Sequence, residues 1–172
     1  MLKTRIPPPW YVLFAAMLMY GFHRYLPGPA LPGPRFSRLA WLVTASGFAL
    51  TAWAGVTFRR ARTTIDPTAP SKASRLVTHG PYRFTRNPMY LGFLLVLTGW
   101  AVWLSSPAGF VVLPVFVAAI TVLQISPEEQ ALHGLFGEDY VCYCRQVNRW
   151  LGRQGVGGVK LPAAGDRRFP QC

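Results

Sequence analysis

The apolar positions of the chain fall into four blocks. The first runs from about Trp10 to Leu26 and the second from Leu39 to Phe58. The other two share the stretch from Asn87 to Pro127, which holds no charged side chain. Ser105, Ser106, Pro107 and Gly109 interrupt that stretch near its middle, so it reads as two spans joined by a tight turn, one bilayer crossing needing about 20 residues. The pattern predicts membrane spans over about 10–26, 39–58, 88–105 and 108–125, the third slightly short and the last two forming a helical hairpin.

Past the fourth block the pattern becomes amphipathic. Pro127 suits the first turn of a new helix, and Glu128 and Glu129 suit its positive N-terminal end. Leu132, Leu135 and Phe136 follow at helical spacing, Gly137 offers a stop, and Tyr140, Tyr143, Val147 and Trp150 make a second apolar stripe. These positions predict C-terminal helices over 128–150 that pack under the spans or lie at the membrane interface. The links Pro27–Pro34 and Thr63–Lys72 read as irregular loops, and 153–172 as a disordered tail rich in Gly, Pro and Arg. The expectation is one all-α integral membrane domain over 1–152 with a short tail. Prolines 7, 8 and 9 open the first apolar run and Pro27-Gly28-Pro29 follows it, which reads against a cleaved leader.

Charge adds an orientation. The chain has 172 residues, of which 51% are hydrophobic and 14% charged, with a net charge of +12. The cations lie between apolar blocks, as at a membrane surface, and not on a soluble scaffold for nucleic acid. Arg59, Arg60, Arg62, Lys72, Arg75, Arg83 and Arg86 lie between spans two and three. Arg145, Arg149, Arg153, Lys160, Arg167 and Arg168 follow span four, and Lys3 and Arg5 precede span one. Arg24, Arg35 and Arg38 alone lie in the loop between spans one and two. The positive-inside rule then places both termini and the long loop in the cytoplasm, with the inner membrane as the membrane concerned if the chain is bacterial.

Two stretches carry chemistry. "THGPYRFTRNPMYLG", residues 78–92, sets two arginines and two aromatic rings between prolines, with Tyr90 just beyond them. Pro81 and Pro88 stiffen the backbone around Tyr82, Arg83 and Arg86, which lowers the entropy lost on holding a ligand. Arg83 and Arg86 suit a carboxylate or phosphate, while Tyr82, Phe84 and Tyr90 offer flat faces to a ring or a cation. The same features describe a positive-inside anchor with an interfacial aromatic belt. The second stretch is the acidic pair Glu128-Glu129, favourable at a helix start and equally able to accept from hydroxyls or an ammonium. A ligand bearing both a carboxylate and an ammonium would be answered by the two stretches together. His23, His79 and His133 read as interfacial or solvated. Cys142 and Cys144 are two apart, a poor metal pair on a helix, and no cluster has metal-ligand spacing. The chain has no glycine-rich phosphate loop and no dinucleotide fingerprint.

"HGPYRFTRNPMYLG" resembles the signature of the integral-membrane methyltransferases of the isoprenylcysteine carboxyl methyltransferase and phospholipid methyltransferase group. "ISPEEQALHGLFGEDYVCYCRQVNRW" resembles that group's second block. The resemblance implies S-adenosylmethionine-dependent methyl transfer, without a metal, to a lipidic or membrane-accessible carboxylate, amine or thiol at the cytoplasmic face. It implies a cofactor site of Gly80, Pro81, Tyr82, Arg86, Asn87, Pro88, Tyr90, Leu91, Glu128, Glu129 and Tyr140, with Arg86, Asn87 and Glu129 catalytic. Partners implied are membrane lipids and the acceptor, not nucleic acid. Val147-Asn148 stands where the group often has Val-Pro, so a different exit from the last helix is expected. A membrane reductase of the steroid 5α-reductase type, using NADPH, has a similar Pro-x-Tyr-x-Gly motif. It typically places Asn and Glu where this chain has Met89 and Phe93. A non-enzymatic protein binding anionic lipid would explain the charge but not the two blocks.

Overall fold

The computed structural model describes residues 6–26, 34–61 and 76–152, and every regular element among them is helical. Helix α1 is Pro8–Tyr25, α2 is Pro34–Arg60 and α3 is Pro88–Leu104. After a turn come α4, Pro107–Phe110, α5, Val112–Ile120, α6, Ser126–Phe136, and α7, Glu138–Gln146. Proline opens α1, α3 and α4, where the missing N–H costs nothing and the fixed φ suits the first turn. Ser105, left-handed at φ 52°, ends α3. The links expected over Pro27–Pro34 and Thr63–Lys72 and the tail over 153–172 lie outside the described residues, except Pro34, which opens α2.

Two helices, Ser37–Arg60 and Pro107–Phe136, are long and apolar enough to cross a bilayer. Pro88–Leu104 is apolar but shorter, as its sequence block predicts. Length and apolarity therefore carry two of the four expected spans.

The closest packing is between α2 and α3, which run antiparallel. Ala40, Thr44, Gly47, Thr51 and Ala54 form a small-residue stripe along α2. Gly92 and Gly99 of α3 press into it. A Cβ added at Gly92 would collide with Thr51 Oγ1 and lie 2.7 Å from the Gly47 carbonyl oxygen. At Gly99 it would collide with Thr44 Oγ1 and lie 2.7 Å from the Ala40 carbonyl oxygen. Small side chains let backbones approach this closely, the usual way apolar helices associate where water supplies no driving force. On the other side of α3, Leu97, Ala101 and Leu104 pack with Ala15 and Met19 of α1 and with Val112, Phe116 and Ile120 of α5. Trp100 Nε1 donates to the Ala16 carbonyl at 3.1 Å, fixing α1 against α3.

Two expectations about the C-terminal third need correction. The sequence suggests a break between a span ending near 125 and a new helix starting at Pro127. Pro127 does sit in the first turn of α6, but α5 continues through Thr121–Ile125 into α6 without a break, and the run Pro107–Phe136 counts as one long helix. Thr121–Ile125 form a π-turn in which the Ser126 N–H reaches back to the Thr121 carbonyl. A proline cannot donate at its own position and its ring crowds the carbonyl four residues back; the wider turn just ahead of Pro127 relieves both problems. The π-turn also buries Gln124, whose Nε2 donates to the Ile6 carbonyl at 2.8 Å. The second correction concerns the last helix, expected to reach 150. It ends at Gln146, and Val147 is extended at φ −129° and ψ 129°. Tyr140, Tyr143 and Val147 still share a buried cluster with Leu132 and Phe136, but Trp150 packs with the α1–α3–α5 core and Leu135 is exposed. The reason for the early end is a competing set of hydrogen bonds, described next.

Candidate active site

The basic loop starts on the end of α2. Gly80 takes φ +62°, a conformation that disfavours side chains, and a Cβ there would lie 3.0 Å from Thr57 Oγ1. Gly80–Arg83 then make one 3₁₀ turn with Pro81 at its start. The turn drops Tyr82 into a pocket of Ala54, Val77, Phe58 and Met89, where its ring meets Phe58 edge to face at 5.0 Å. Gly80, Pro81 and Tyr82 thus seat the loop on α2. Arg83 is left exposed, whereas Arg86 is half-buried.

From Phe84 to Asn87 the loop is tied to residues 148–152. The Arg86 N–H donates to the Asn148 carbonyl at 3.1 Å, and the Gly152 N–H donates to the Phe84 carbonyl at 3.0 Å. Thr85 Oγ1 and Asn87 Nδ2 both donate to the Arg149 carbonyl, at 3.2 and 3.1 Å. Thr85 Oγ1 also accepts from the Asn87 N–H at 3.1 Å. These bonds satisfy backbone groups that a longer α7 would have used internally, so the chain leaves the helix at Val147. Below them the Tyr143 hydroxyl donates to the Tyr82 carbonyl at 2.8 Å in a buried position. Tyr143→Phe strands that carbonyl and is expected to cost about 1–2 kcal/mol. Thermal unfolding in detergent checks this, and an unchanged midpoint would mean that the carbonyl finds another donor.

The clamp brings the two chemistry-bearing stretches together. Tyr90, in the first turn of α3, donates its hydroxyl proton to Glu128 Oε1 at 2.6 Å. Arg86 Nη1 lies 3.3 Å from Glu129 Oε1 and also donates to Cys144 Sγ. Arg149 grips the same carboxylate with two bonds, Nε to Oε1 at 3.1 Å and Nη2 to Oε2 at 2.5 Å. Two guanidinium groups thus share one carboxylate. Arg86 Nε is enclosed without a hydrogen-bond partner, a feature that marks a site built for more than the contacts present. Burial pushes the Cys144 thiol up despite the adjacent Arg86, so the thiol stays neutral and brings no second anion to the arginine. Burial likewise raises Tyr140 and Tyr143, which remain phenols. Hydrogen bonding to Glu129 raises Arg149 and keeps it charged.

Of the residues singled out in the sequence, the structure joins Arg86, Tyr90, Glu128 and Glu129 directly. Tyr140 lies against Cys144 beside Arg86. Asn87 spends its amide on the Arg149 carbonyl, and Pro88 and Leu91 are buried at the base of α3. Sequence reasoning missed Thr85, Cys144, Asn148 and Arg149. Thr85 has no evident role within the quoted motif, and Arg149 reads from its position as a cytoplasmic anchor. The one signal pointing to them was the unusual exit after Val147.

Comparison with known proteins sets this geometry in a lineage. Residues 37–139 match the model of the phospholipid methyltransferase family, well over half of the chain. An uncharacterised protein of Haemophilus influenzae is 38% identical over 63 residues, which is 37% of this chain and 100% of that protein. Protein-S-isoprenylcysteine O-methyltransferase A of Arabidopsis thaliana is 40% identical over 72 residues, 42% of this chain and 36% of that protein. A probable protein-S-isoprenylcysteine O-methyltransferase of Oryza sativa subsp. indica is 35% identical over 77 residues, 45% of this chain and 40% of that protein. The chain thus spans well under half the length of these named relatives. No solved structure matches it. The match over 37–139 takes in both the basic loop and the acidic pair, and on it the chain belongs to the phospholipid methyltransferase family and is an enzyme of the methyltransferase class.

Proposed function

We propose that this enzyme transfers a methyl group from S-adenosylmethionine to a lipidic acceptor at the cytoplasmic face of a membrane. The acceptor atom belongs to a carboxylate, amine or thiol. The observation that carries the reading is the meeting of Arg86, Glu129, Tyr90 and Glu128 at one end of the helices. The amino-acid end of S-adenosylmethionine carries an ammonium and a carboxylate, its ribose carries hydroxyls, and the adenine presents a flat ring. Glu129 suits the ammonium, the arginines suit the carboxylate, and Glu128 with Tyr90 suits hydroxyls. The unpartnered Arg86 Nε supports the fit. When bound, the cofactor supplies an electrophilic methyl group. The residues of this chain would hold and orient it and exclude water around the acceptor, which is the main work an in-line displacement asks of a site. In this reading Gly80, Pro81, Tyr82, Pro88 and Leu91 build the walls of the cradle, Tyr140 lies beside it, and Asn87 sets the loop.

Membrane placement rests on charge and on apolar surface. Arg59, Arg60, Arg83, Arg86, Arg145 and Arg149 gather at the end that carries the site, against Arg24 and Arg38 at the other end. With four helical segments crossing and α3 turning into α4–α5 as a hairpin, the site and both termini face the cytoplasm. The outward face of α2 leaves Trp41, Leu42, Phe48, Trp53 and Val56 exposed, an apolar surface suited to lipid. A groove of about 840 Å³, lined almost wholly by apolar groups of α1, α2 and α3, opens beside Leu97 and Trp100. It lies along the halves of the helices remote from the ionic cluster, in position to take apolar chains from the bilayer. The isoprenylcysteine named for the plant relatives is one acceptor of this kind.

Calorimetric titration of the detergent-solubilised full-length protein tests the donor. Saturable binding of S-adenosylmethionine and none of NADPH is expected, with Arg86→Ala weakening the former about tenfold. Binding of NADPH alone would replace this reading with a reductase, and binding of neither would leave a lipid-binding role.

A further inference from the structure

We propose that Arg149, and not Arg83 or Arg86, receives the carboxylate of the methyl donor, exchanging Glu129 for the ligand as it binds. The inference rests on the methyl-donor reading above and goes beyond it, since Arg149 lies outside the family match over 37–139.

The three candidate arginines differ in what already holds them. Arg83 is exposed at the end of the 3₁₀ turn, and no contact ties it to the acidic pair. Arg86 is fixed: its side chain is 15% exposed and its Nη1 is shared between Glu129 and Cys144. The Arg149 side chain is 39% exposed, so its guanidinium sits on the open side of the cluster while both of its bonds go to Glu129. Its backbone is anchored by Thr85 Oγ1 and Asn87 Nδ2 on the carbonyl. A guanidinium on a long stem with a fixed root can swing without disturbing the loop.

The exchange balances charge. Glu129 holds Arg149 before binding. An amino-acid end offers a carboxylate in place of Glu129 and an ammonium in place of Arg149. Arg149 then pairs with the ligand carboxylate by a planar two-pronged contact, and Glu129, still beside Arg86, pairs with the ligand ammonium. Each charged group keeps an opposite partner, so no buried charge is stranded. A ligand lacking the amino-acid end offers neither group and leaves the Arg149–Glu129 pair closed.

Titration of the solubilised full-length protein with S-adenosylhomocysteine and with 5′-methylthioadenosine separates the possibilities, because the second keeps the nucleoside and lacks the amino-acid end. Arg149→Ala is expected to weaken S-adenosylhomocysteine about tenfold or more and to leave methylthioadenosine unchanged. Arg149→Lys, which keeps the charge but not the fork, is expected to fall between. Unchanged affinity for S-adenosylhomocysteine in both variants would overturn the proposal, as would equal weakening of both ligands, which would make Arg149 a structural support. If the unaltered protein binds neither ligand, the methyl-donor reading itself fails and takes this inference with it.

Discussion

Glu129→Ala is expected to be the most damaging single change at the site. The Glu129 side chain is 15% exposed, it accepts two bonds from Arg149, and it lies 3.3 Å from Arg86. Its removal takes away the carboxylate that both guanidinium groups share in a partly dry setting. Breaking a buried pair in this way costs about 3–5 kcal/mol, and the exposure of Arg149 puts the loss near the lower end, about 3 kcal/mol. Glu129→Gln keeps the volume and an acceptor oxygen while losing the charge, so its cost should be smaller, about 1–2 kcal/mol. Both variants should lose methyl transfer, since neither offers an anion to the ammonium of the donor. Thermal unfolding and turnover measured on the same preparations check the two halves. A stable Glu129→Ala protein with normal turnover would remove this carboxylate from the account.

The second large effect lies away from the chemistry. Gly92→Leu and Gly99→Leu are each expected to force α2 and α3 apart, because a Cβ at either position already lies 2.7 Å from a backbone carbonyl oxygen of α2. Backbone cannot yield as the tip of a side chain can, so the cost should reach about 3 kcal/mol, the upper part of the usual range for overpacking. Because Gly92 lies two residues beyond Tyr90, separation of the helices there should also pull Tyr90 from Glu128 and lower turnover. Gly55 is the internal control: it is on α2 with nothing within 4 Å of an added Cβ. Gly55→Ala should leave the unfolding midpoint within experimental scatter. Similar midpoints for Gly55→Ala and Gly99→Leu would contradict the close packing described.

The sequence made some of this visible and concealed the rest for physical reasons. The apolar blocks marked where α1, α2, α3 and α5 lie, because each is an uninterrupted run bounded by charges or prolines. Pro127 does stand in the first turn of α6, as its sequence suggests; the join to α5 was hidden, because the π-turn upstream has no residue signature of its own. The stripe from Tyr140 to Trp150 was correct as far as Val147. It failed beyond because hydrogen bonds donated by Thr85, Arg86 and Asn87, and one accepted by the Phe84 carbonyl, some 60 positions earlier in the chain, outcompete helix continuation. The loop and the acidic pair were recognisable as possible partners by their residue types, and the structure joins them through Arg86 with Glu129 and Tyr90 with Glu128. Arg149 was not, since an arginine near a membrane serves as an anchor by default. Only its geometry, two bonds onto Glu129, sets it apart from Arg145, which is exposed on α7.

In the proposed function the cluster around Glu129 supports methyl transfer from S-adenosylmethionine to a lipidic acceptor. The most direct measurement incubates the purified protein, reconstituted in vesicles carrying candidate lipid acceptors, with S-adenosylmethionine labelled in its methyl group. Label is expected to enter the solvent-extractable lipid fraction with the intact protein and not with Glu129→Ala. Label found only in water-soluble small molecules, or equal labelling by the two proteins, would contradict it.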